Sequence, residues 1–287
     1  MDEVVRLATD RGFVYPGSEI YGGLANSWDY GPYGSLLKEN IRSTWMRMFV
    51  RERTDMTLLD SAILMNPQVW VASGHATGFA DPLMDCKACK SRARADKLVE
   101  ALLATGETET PKNWAGDKTP SEDLIAFIRA KNIKCPECGA SDWTDIRRFN
   151  LMFKTFQGVT EDAKNEIFLR PETAQGMFVD FAHVARTSRR KLPFGIAQVG
   201  KSFRNEITPG NFTYRTREFE QMEMEYFVKP GTDEVWFEHW LTESKRLAVE
   251  GLGLAAERVQ WKPIPTGELP HYSRAAGDLE YRFPFGW

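Results

Sequence analysis

The sequence predicts an α+β fold, with an antiparallel hairpin, amphipathic helices and an insertion closed by cysteines. Three observations carry this reading. Residues 203–227, FRNEITPGNFTYRTREFEQMEMEYF, hold two alternating runs, 203–207 and 217–227, around a loop rich in Pro, Gly, Asn and Thr. That is the pattern of an antiparallel hairpin with a long connection. Residues 35–50 and 233–250 place apolar side chains at helical spacing. All four cysteines fall in two C-x-x-C pairs, Cys86/Cys89 and Cys135/Cys138.

Taken along the chain, residues 13–34 are rich in Gly, Tyr and Asn and read as a turn-laden loop or short hairpin. Leu36, Leu37, Ile41, Trp45, Met48 and Phe49 then define an amphipathic helix over 35–50, and 56–59 reads as a strand. His75 lies in the Gly-rich stretch GHATGFADP, where a lone histidine reads as structural. Helical spacing returns near 97–103 and 124–130, around a segment, 105–121, that reads as a mobile loop. NLMFKTF (150–156) reads as a strand and 173–182 as a helix with Met177, Phe178 and Phe181 on one side. Glu172 stands at the start of that helix, where a carboxylate suits the helix dipole. Residues 192–203 read as a buried strand leading into the hairpin.

Composition sets wider bounds. The chain of 287 residues is 42% hydrophobic and 27% charged, as in globular proteins, and no apolar run approaches membrane-helix length. Its N-terminus, MDEVVRLATD, is acidic and unlike a secretory signal. The net charge of −3 leaves nucleic-acid contact to local basic patches: Arg92, Arg94 and Lys97; Arg147 and Arg148; Arg186, Arg189, Arg190 and Lys191. Each such patch is as readily an ordinary solvated face. The cysteine pairs have the two-residue spacing of zinc knuckles, and four thiolates in tetrahedral array select zinc. Two disulfides are the main alternative at this point.

Side chains alternate along a strand. Arg204 and Glu206 are therefore expected on one face, with Arg217, Phe219, Gln221, Glu223 and Glu225 on a face of the partner strand. A solvated ribbon with weak cross-strand pairs would account for the charges alone. Two arginines, a flat ring and several carboxylates also suit a ligand with an anion, a flat ring and an ammonium.

The wording FRNE, then a loop, then REFEQMEMEYF resembles motif 2 of the class II aminoacyl-tRNA synthetases, in the form seen in dimeric bacterial glycyl-tRNA synthetases. The phrases YGGLA, DYGPYG and LRPETAQG resemble the same family, as does the helix and strand ending at Met65-Asn66-Pro67, which resembles motif 1. The resemblance implies a class II antiparallel sheet flanked by helices with a zinc-binding insertion. It divides the chain into 1–85 with motif 1, an insertion over 86–147, and a core over 148–287 with motif 2. LEYRFPFGW resembles the strand before the final catalytic motifs, so a chain stopping short of motif 3 and the anticodon-binding domain is expected.

What the family does supplies the remaining expectations. Glycine attacks the α-phosphorus of ATP to give glycyl-adenylate, and the glycyl group passes to tRNA. Arg204 is the catalytic candidate, on the α-phosphate. The ATP site is expected from Arg204, Asn205, Glu206, Tyr214, Arg215, Thr216, Arg217, Glu218 and Phe219, with magnesium. Glu206 would meet the adenine amino group, and Phe219 would stack on the ring. The glycine site is expected from Arg94, Glu172, Phe219, Glu220, Gln221, Met222 and Glu223, with Glu225 a further carboxylate. Arg94 would face the carboxylate, and the glutamates the ammonium. Cys86, Cys89, Cys135 and Cys138 would hold structural zinc. A cytoplasmic homodimer built through motif 1 is implied, and reduced thiols there disfavour disulfides. Two other classes are a synthetase-like binder of glycine or adenylate that charges no tRNA, and a zinc-bearing nucleic-acid module.

Overall fold

The structure is a computed structural model. It describes every residue except 107, 208, 209, 211, 270 and 271. Parts of the expected loops at 105–121 and 208–216 thus lie outside the described residues. The chain forms two compact units, Met1–Met65 with Phe153–Trp287, and Asn66–Met152.

The first unit opens with α1 (Asp2–Asp10) and a small hairpin of β1 (Val14–Pro16) and β2 (Trp28–Tyr30). Helix α2 (Pro32–Met46) follows, with Pro in its first turn, where the missing N–H is no loss. It continues as a wider π turn over Arg47–Arg51 and leads to β3 (Met56–Leu58). Phe13 passes so close to Gly34 that an added Cβ would lie 1.8 Å from its carbonyl oxygen, so α2 can start there only with glycine.

The second unit holds α3 (Gln68–Ala72), α4 (His75–Gly78), β4 (Ala80–Asp85), β5 (Arg92–Arg94), α5 (Ala95–Leu103), α6 (Ser121–Ala130) and β6 (Arg147–Asn150). Its sheet runs β5-β4-β6 and is antiparallel. Met84, Cys86, Val99, Leu124, Ile128, Cys135 and Trp143 form its core. The unit contains the expected 86–147 segment and closes around a longer stretch of chain. The loop expected at 105–121 is pinned where described. Thr119 is fully buried and its hydroxyl accepts from the Ala115 N–H, while Arg148 donates to the Asp117 and Thr119 carbonyls.

Back in the first unit, β7 (Lys154–Phe156) pairs with β8 (Glu166–Phe168). The strand expected over 150–156 is thus split, and β6 claims Asn150. Then come α7 (Ala174–Val179), α8 (Phe181–Ser188), β9 (Phe194–Phe203), β10 (Glu218–Phe227), α9 (Asp233–Arg246), β11 (Val259–Pro263) and β12 (Gly277–Tyr281). The central sheet is β10-β9-β3, with β9 antiparallel to β10 and parallel to β3. The separate pair β11–β12 is antiparallel.

The hairpin differs from the expectation in one respect. Its strands are β9 and β10, in unbroken register from Phe194↔Phe227 to Phe203↔Glu218. Arg204, Glu206 and Arg217 lie beyond the strand ends, in the connecting turn. Strand alternation therefore does not govern them. The apolar run 194–203 makes the better strand, because it is buried on both sides.

The ribbon has two unlike faces. On the back, Ala197, Val199, Met224 and Tyr226 pack with Trp45, Met48, Phe49 and Trp240. On the front, Phe194, Ile196 and Phe227 pack with Met177 and Phe181. Gln198, Ser202, Gln221, Glu223 and Glu225 share that front face by register.

Candidate functional site

The front face is built by stapling the segment 170–175 across β9 and β10. Arg170 is 2% exposed and threads beneath the sheet. Its Nε donates to the Lys201 carbonyl at 2.8 Å, and its Nη1 to the Ser61 carbonyl at 2.8 Å. Gly200 makes room for it, since an added Cβ would lie 2.2 Å from Arg170 Nη2. The Thr173 N–H donates to Gln221 Oε1 at 3.2 Å, and Ser202 Oγ donates to the same oxygen at 2.7 Å. The Thr173 hydroxyl donates to Glu223 Oε2. Gln175 Nε2 donates to Glu172 Oε1 at 2.6 Å. Thr173, Gln198 and Ser202 are fully buried.

Three carboxylates result, close enough to feel one another. Burial pushes the Glu225 carboxyl up to about 7, and the charges of Glu223 and Glu172 add to that. Burial also raises Glu223, with Glu172 adding to the rise and the Thr173 hydroxyl and Arg204 opposing it. A desolvated acidic surface of this kind favours a bound cation of ammonium size.

Arg204 stands beside it. Its Nε donates to the Pro171 carbonyl at 3.1 Å, and its guanidinium lies 5.2 Å over the Phe219 ring. Glu206 is 8% exposed and 3.6 Å from Arg215 Nη1. Arg217 donates from Nε to the Glu206 carbonyl at 3.1 Å. Arg204, Asn205, Glu206, Tyr214, Arg215, Thr216, Arg217 and Phe219 all line one cleft of about 1400 Å³. That cleft continues along α2, on the back of the ribbon, and its lining does not include Glu172, Gln221, Glu223 or Glu225.

Alternation divides the rest of the expected set, and Glu218, Glu220 and Met222 line that same cleft. Glu218, Glu220 and Met222 face the back: Glu218 pairs with Lys201, and Glu220 lies 3.0 Å from Lys38 of α2. They share a sequence run with Gln221 and Glu223 but not a surface. Arg94 belongs to the other unit. There it binds Asp96 through Nε and Nη2, and Asp81 through Nη1 at 3.0 Å. His75 meets Ser73 Oγ at 2.8 Å and packs edge-on against Trp70, in keeping with a structural part. Sequence reasoning missed Arg170, Thr173, Gln198 and Ser202. A signal for Arg170 existed in Gly200, a glycine inside a buried strand, which marks a close approach by another group.

The four cysteines converge in the second unit, with all their Sγ atoms within 4.8 Å of one another. Cys86 and Cys138 sulfurs are 3.6 Å apart, and Cys89 and Cys135 sulfurs 3.7 Å. Sulfurs at about 2.3 Å from a tetrahedral ion stand ~3.8 Å apart, so the spacing fits zinc and exceeds any disulfide bond. The two knuckles repeat one geometry. Cys86 and Cys135 carbonyls accept from the Lys90 and Gly139 N–H groups, both at 2.9 Å, and these residues have φ of 64° and 77°. Gly139 thus has Lys90 as its counterpart in the other knuckle.

A match to the tRNA synthetase class II core domain (G, H, P, S and T) covers residues 153–259, and one to the glycyl-tRNA synthetase insertion domain 1 covers 114–151. Over its whole length the chain is 58% identical to a glycine–tRNA ligase of Clostridium tetani and 59% identical to that of Clostridium perfringens. The chain belongs to the glycyl-tRNA synthetase family. A third such relative, from Acetivibrio thermocellus, is 58% identical. The chain spans 61% of the length of each of these ligases. The fold is also that of a prolyl-tRNA synthetase from Cryptosporidium parvum, with a TM-score of 0.56 at 12% identity over 96% of this chain and 39% of the other. Class II core and glycyl-tRNA synthetase insertion thus meet in one chain: the core match holds the front-face carboxylates, and the insertion match holds the second cysteine knuckle, Cys135 and Cys138. Among the described residues, no helix is long and apolar enough to cross a membrane.

Proposed function

We propose that the full-length protein is a glycine–tRNA ligase that activates glycine with ATP to glycyl-adenylate, releasing pyrophosphate, and passes the glycyl group to tRNA with release of AMP. The observation that carries this is the pairing of a cation-seeking surface, Glu172, Glu223 and Glu225, with Arg204 stacked on Phe219 beside it. The glutamates hold the ammonium of glycine, which suits a pocket that must exclude larger side chains. Phe219 and Glu206 take adenine, and Arg204 takes the α-phosphate, where charge grows in the transition state. Asn205, Tyr214, Arg215, Thr216 and Arg217 complete the ATP turn, with magnesium as the phosphate counter-ion. Gln221 serves by fixing Thr173. In the second unit, Asp81 and Asp96 fix the plane of the Arg94 guanidinium.

Cys86, Cys89, Cys135 and Cys138 hold a structural zinc ion, with no open position for catalysis. Segment 86–147 acts as the insertion, between 1–85 and 148–287. The protein works in the cytoplasm as a homodimer through the motif 1 helix, where Tyr33, Leu36 and Leu37 of α2 stand exposed.

Glycine-dependent ATP–pyrophosphate exchange by the full-length protein tests this. Arg204→Gln should lower kcat at least a hundredfold, as loss of a transition-state charge contact does. Glu172→Gln should raise the KM for glycine alone. Exchange stimulated equally by alanine and glycine would contradict the reading.

A further inference from the structure

The loop between β1 and β2 closes on itself. Gly17 N–H donates to the Ser27 carbonyl at 2.8 Å, Gly23 N–H to the Ser18 carbonyl at 3.1 Å, and Ser27 N–H to the Leu24 carbonyl at 3.0 Å. Gly22, Gly23 and Asn26 have φ of 90°, 74° and 57°, a left-handed course that these residue types tolerate best. Gly17 lies so close to Ser27 that an added Cβ would come within 2.7 Å of its Oγ. So shaped, the loop reaches the 204–217 turn at three places. Ala25 presents its carbonyl to Arg217 Nη1 at 3.0 Å. Asn26 Nδ2 donates to the Arg215 carbonyl. Trp28 sets its ring edge against Phe212, with centroids 4.8 Å apart and planes at 77°. Leu24, Ala25, Asn26 and Trp28 form a wall of the same cleft that Arg204, Arg215 and Arg217 line.

We propose that this loop is a strap that sets the ATP turn, with Asn26 and Trp28 as positioning residues for Arg215 and Arg217. The inference rests on the assignment of 204–219 to ATP. Two carbonyls, Ala25 and Glu206, take two of the five N–H groups of Arg217 and thereby fix the plane of its guanidinium. Asn26 anchors the backbone of Arg215, whose side chain otherwise lies against Glu206. The contacts that the strap makes through Ala25, Asn26 and Trp28 go to the 204–217 turn, so its effect should fall on ATP and spare glycine.

The test uses the full-length protein. Asn26→Gly and Asn26→Asp keep the left-handed backbone and remove the donor, Trp28→Ala removes the ring contact, and Trp28→Phe restores an aromatic edge. Each variant is checked for an unchanged melting temperature. In pyrophosphate exchange, Asn26→Gly, Asn26→Asp and Trp28→Ala should raise the KM for ATP about five- to tenfold, the loss expected for one well-placed contact. The KM for glycine should stay within about twofold, and Trp28→Phe should recover most of the loss. Calorimetry with ATP alone should show the same rise in Kd, whatever the amino-acid substrate. Unchanged ATP Kd in folded variants, or equal rises for ATP and glycine, would overturn the strap. Wild-type protein that binds ATP but shows no glycine dependence would overturn the glycine assignment, and the ATP Kd values of the variants would still decide the strap. Wild-type protein that binds no ATP would overturn both.

Discussion

The two faces of the β9–β10 ribbon both hold carboxylates away from bulk solvent, and the two sets respond to burial in opposite ways. On the back, Tyr226 donates to Asp55 at 2.6 Å, and Arg53 binds the same carboxylate through Nε and Nη2. Burial alone would raise Asp55, yet these partners bring it below its usual range. Arg53 also lies 4.6 Å over Trp240 and meets His239 and Glu243 of α9. On the front, Glu223 and Glu225 are raised, because burial is joined by like charge. The back face brings its own cation. On the front face Arg204 offsets the rise of Glu223 only in part, and a carboxylate surface raised in this way is poised for a ligand.

The largest effect that would break this contrast is on the back. Asp55→Ala leaves Arg53 and the Tyr226 hydroxyl without their shared partner, and urea unfolding should show a loss of about 2–3 kcal/mol. A loss below ~0.5 kcal/mol would mean that the back face is no better satisfied than the front.

Next in size is Glu225→Gln. A carboxyl near 7 in the folded chain, against 4.5 as its reference value, binds protons more tightly folded than unfolded. Its contribution therefore favours folding at pH 4 and is lost as pH rises through that window. Above pH 7 the variant should be more stable than the parent by roughly 2 kcal/mol, with the difference shrinking toward pH 4. Lower stability at pH 8 would show that Glu225 has a cationic partner after all.

Thr173→Val should cost less stability and alter titration more. Without the hydroxyl, Glu223 rises further, so the acidic limb of the pH profile for glycine KM should move to higher pH, and Thr173→Ser should restore it. An unmoved limb would reduce Thr173 to a packing role. The smallest effect is expected at the Lys38–Glu220 pair, whose side chains are 32% and 21% exposed. Lys38→Met should change stability by no more than about 0.5 kcal/mol.

Much of this was legible in the sequence because periodicity and spacing are local. The helix at 95–103, the strand at 194–203 and the cysteine knuckles follow from patterns within a few residues. The front-face carboxylates were also within reach, since Gln221, Glu223 and Glu225 alternate along one strand. Two things were not. Strand ends depend on what pairs with them, so Arg204 and Glu206 were assigned to a strand that stops at Phe203. The staples, too, join residues far apart in sequence. Arg170 reaches Ser61, and Asn26 reaches Arg215, through contacts that only the folded chain creates.

The most direct test is a carbon-detected NMR titration of the front-face glutamates in the full-length protein, with and without glycine. Burial and like charge should hold Glu225 near 7 in the free protein, and a bound glycine ammonium should bring it well below that value when glycine and an ATP analogue bind. A Glu225 that titrates in the ordinary carboxylate range, or that ignores glycine, would contradict the assignment of this face to the amino acid.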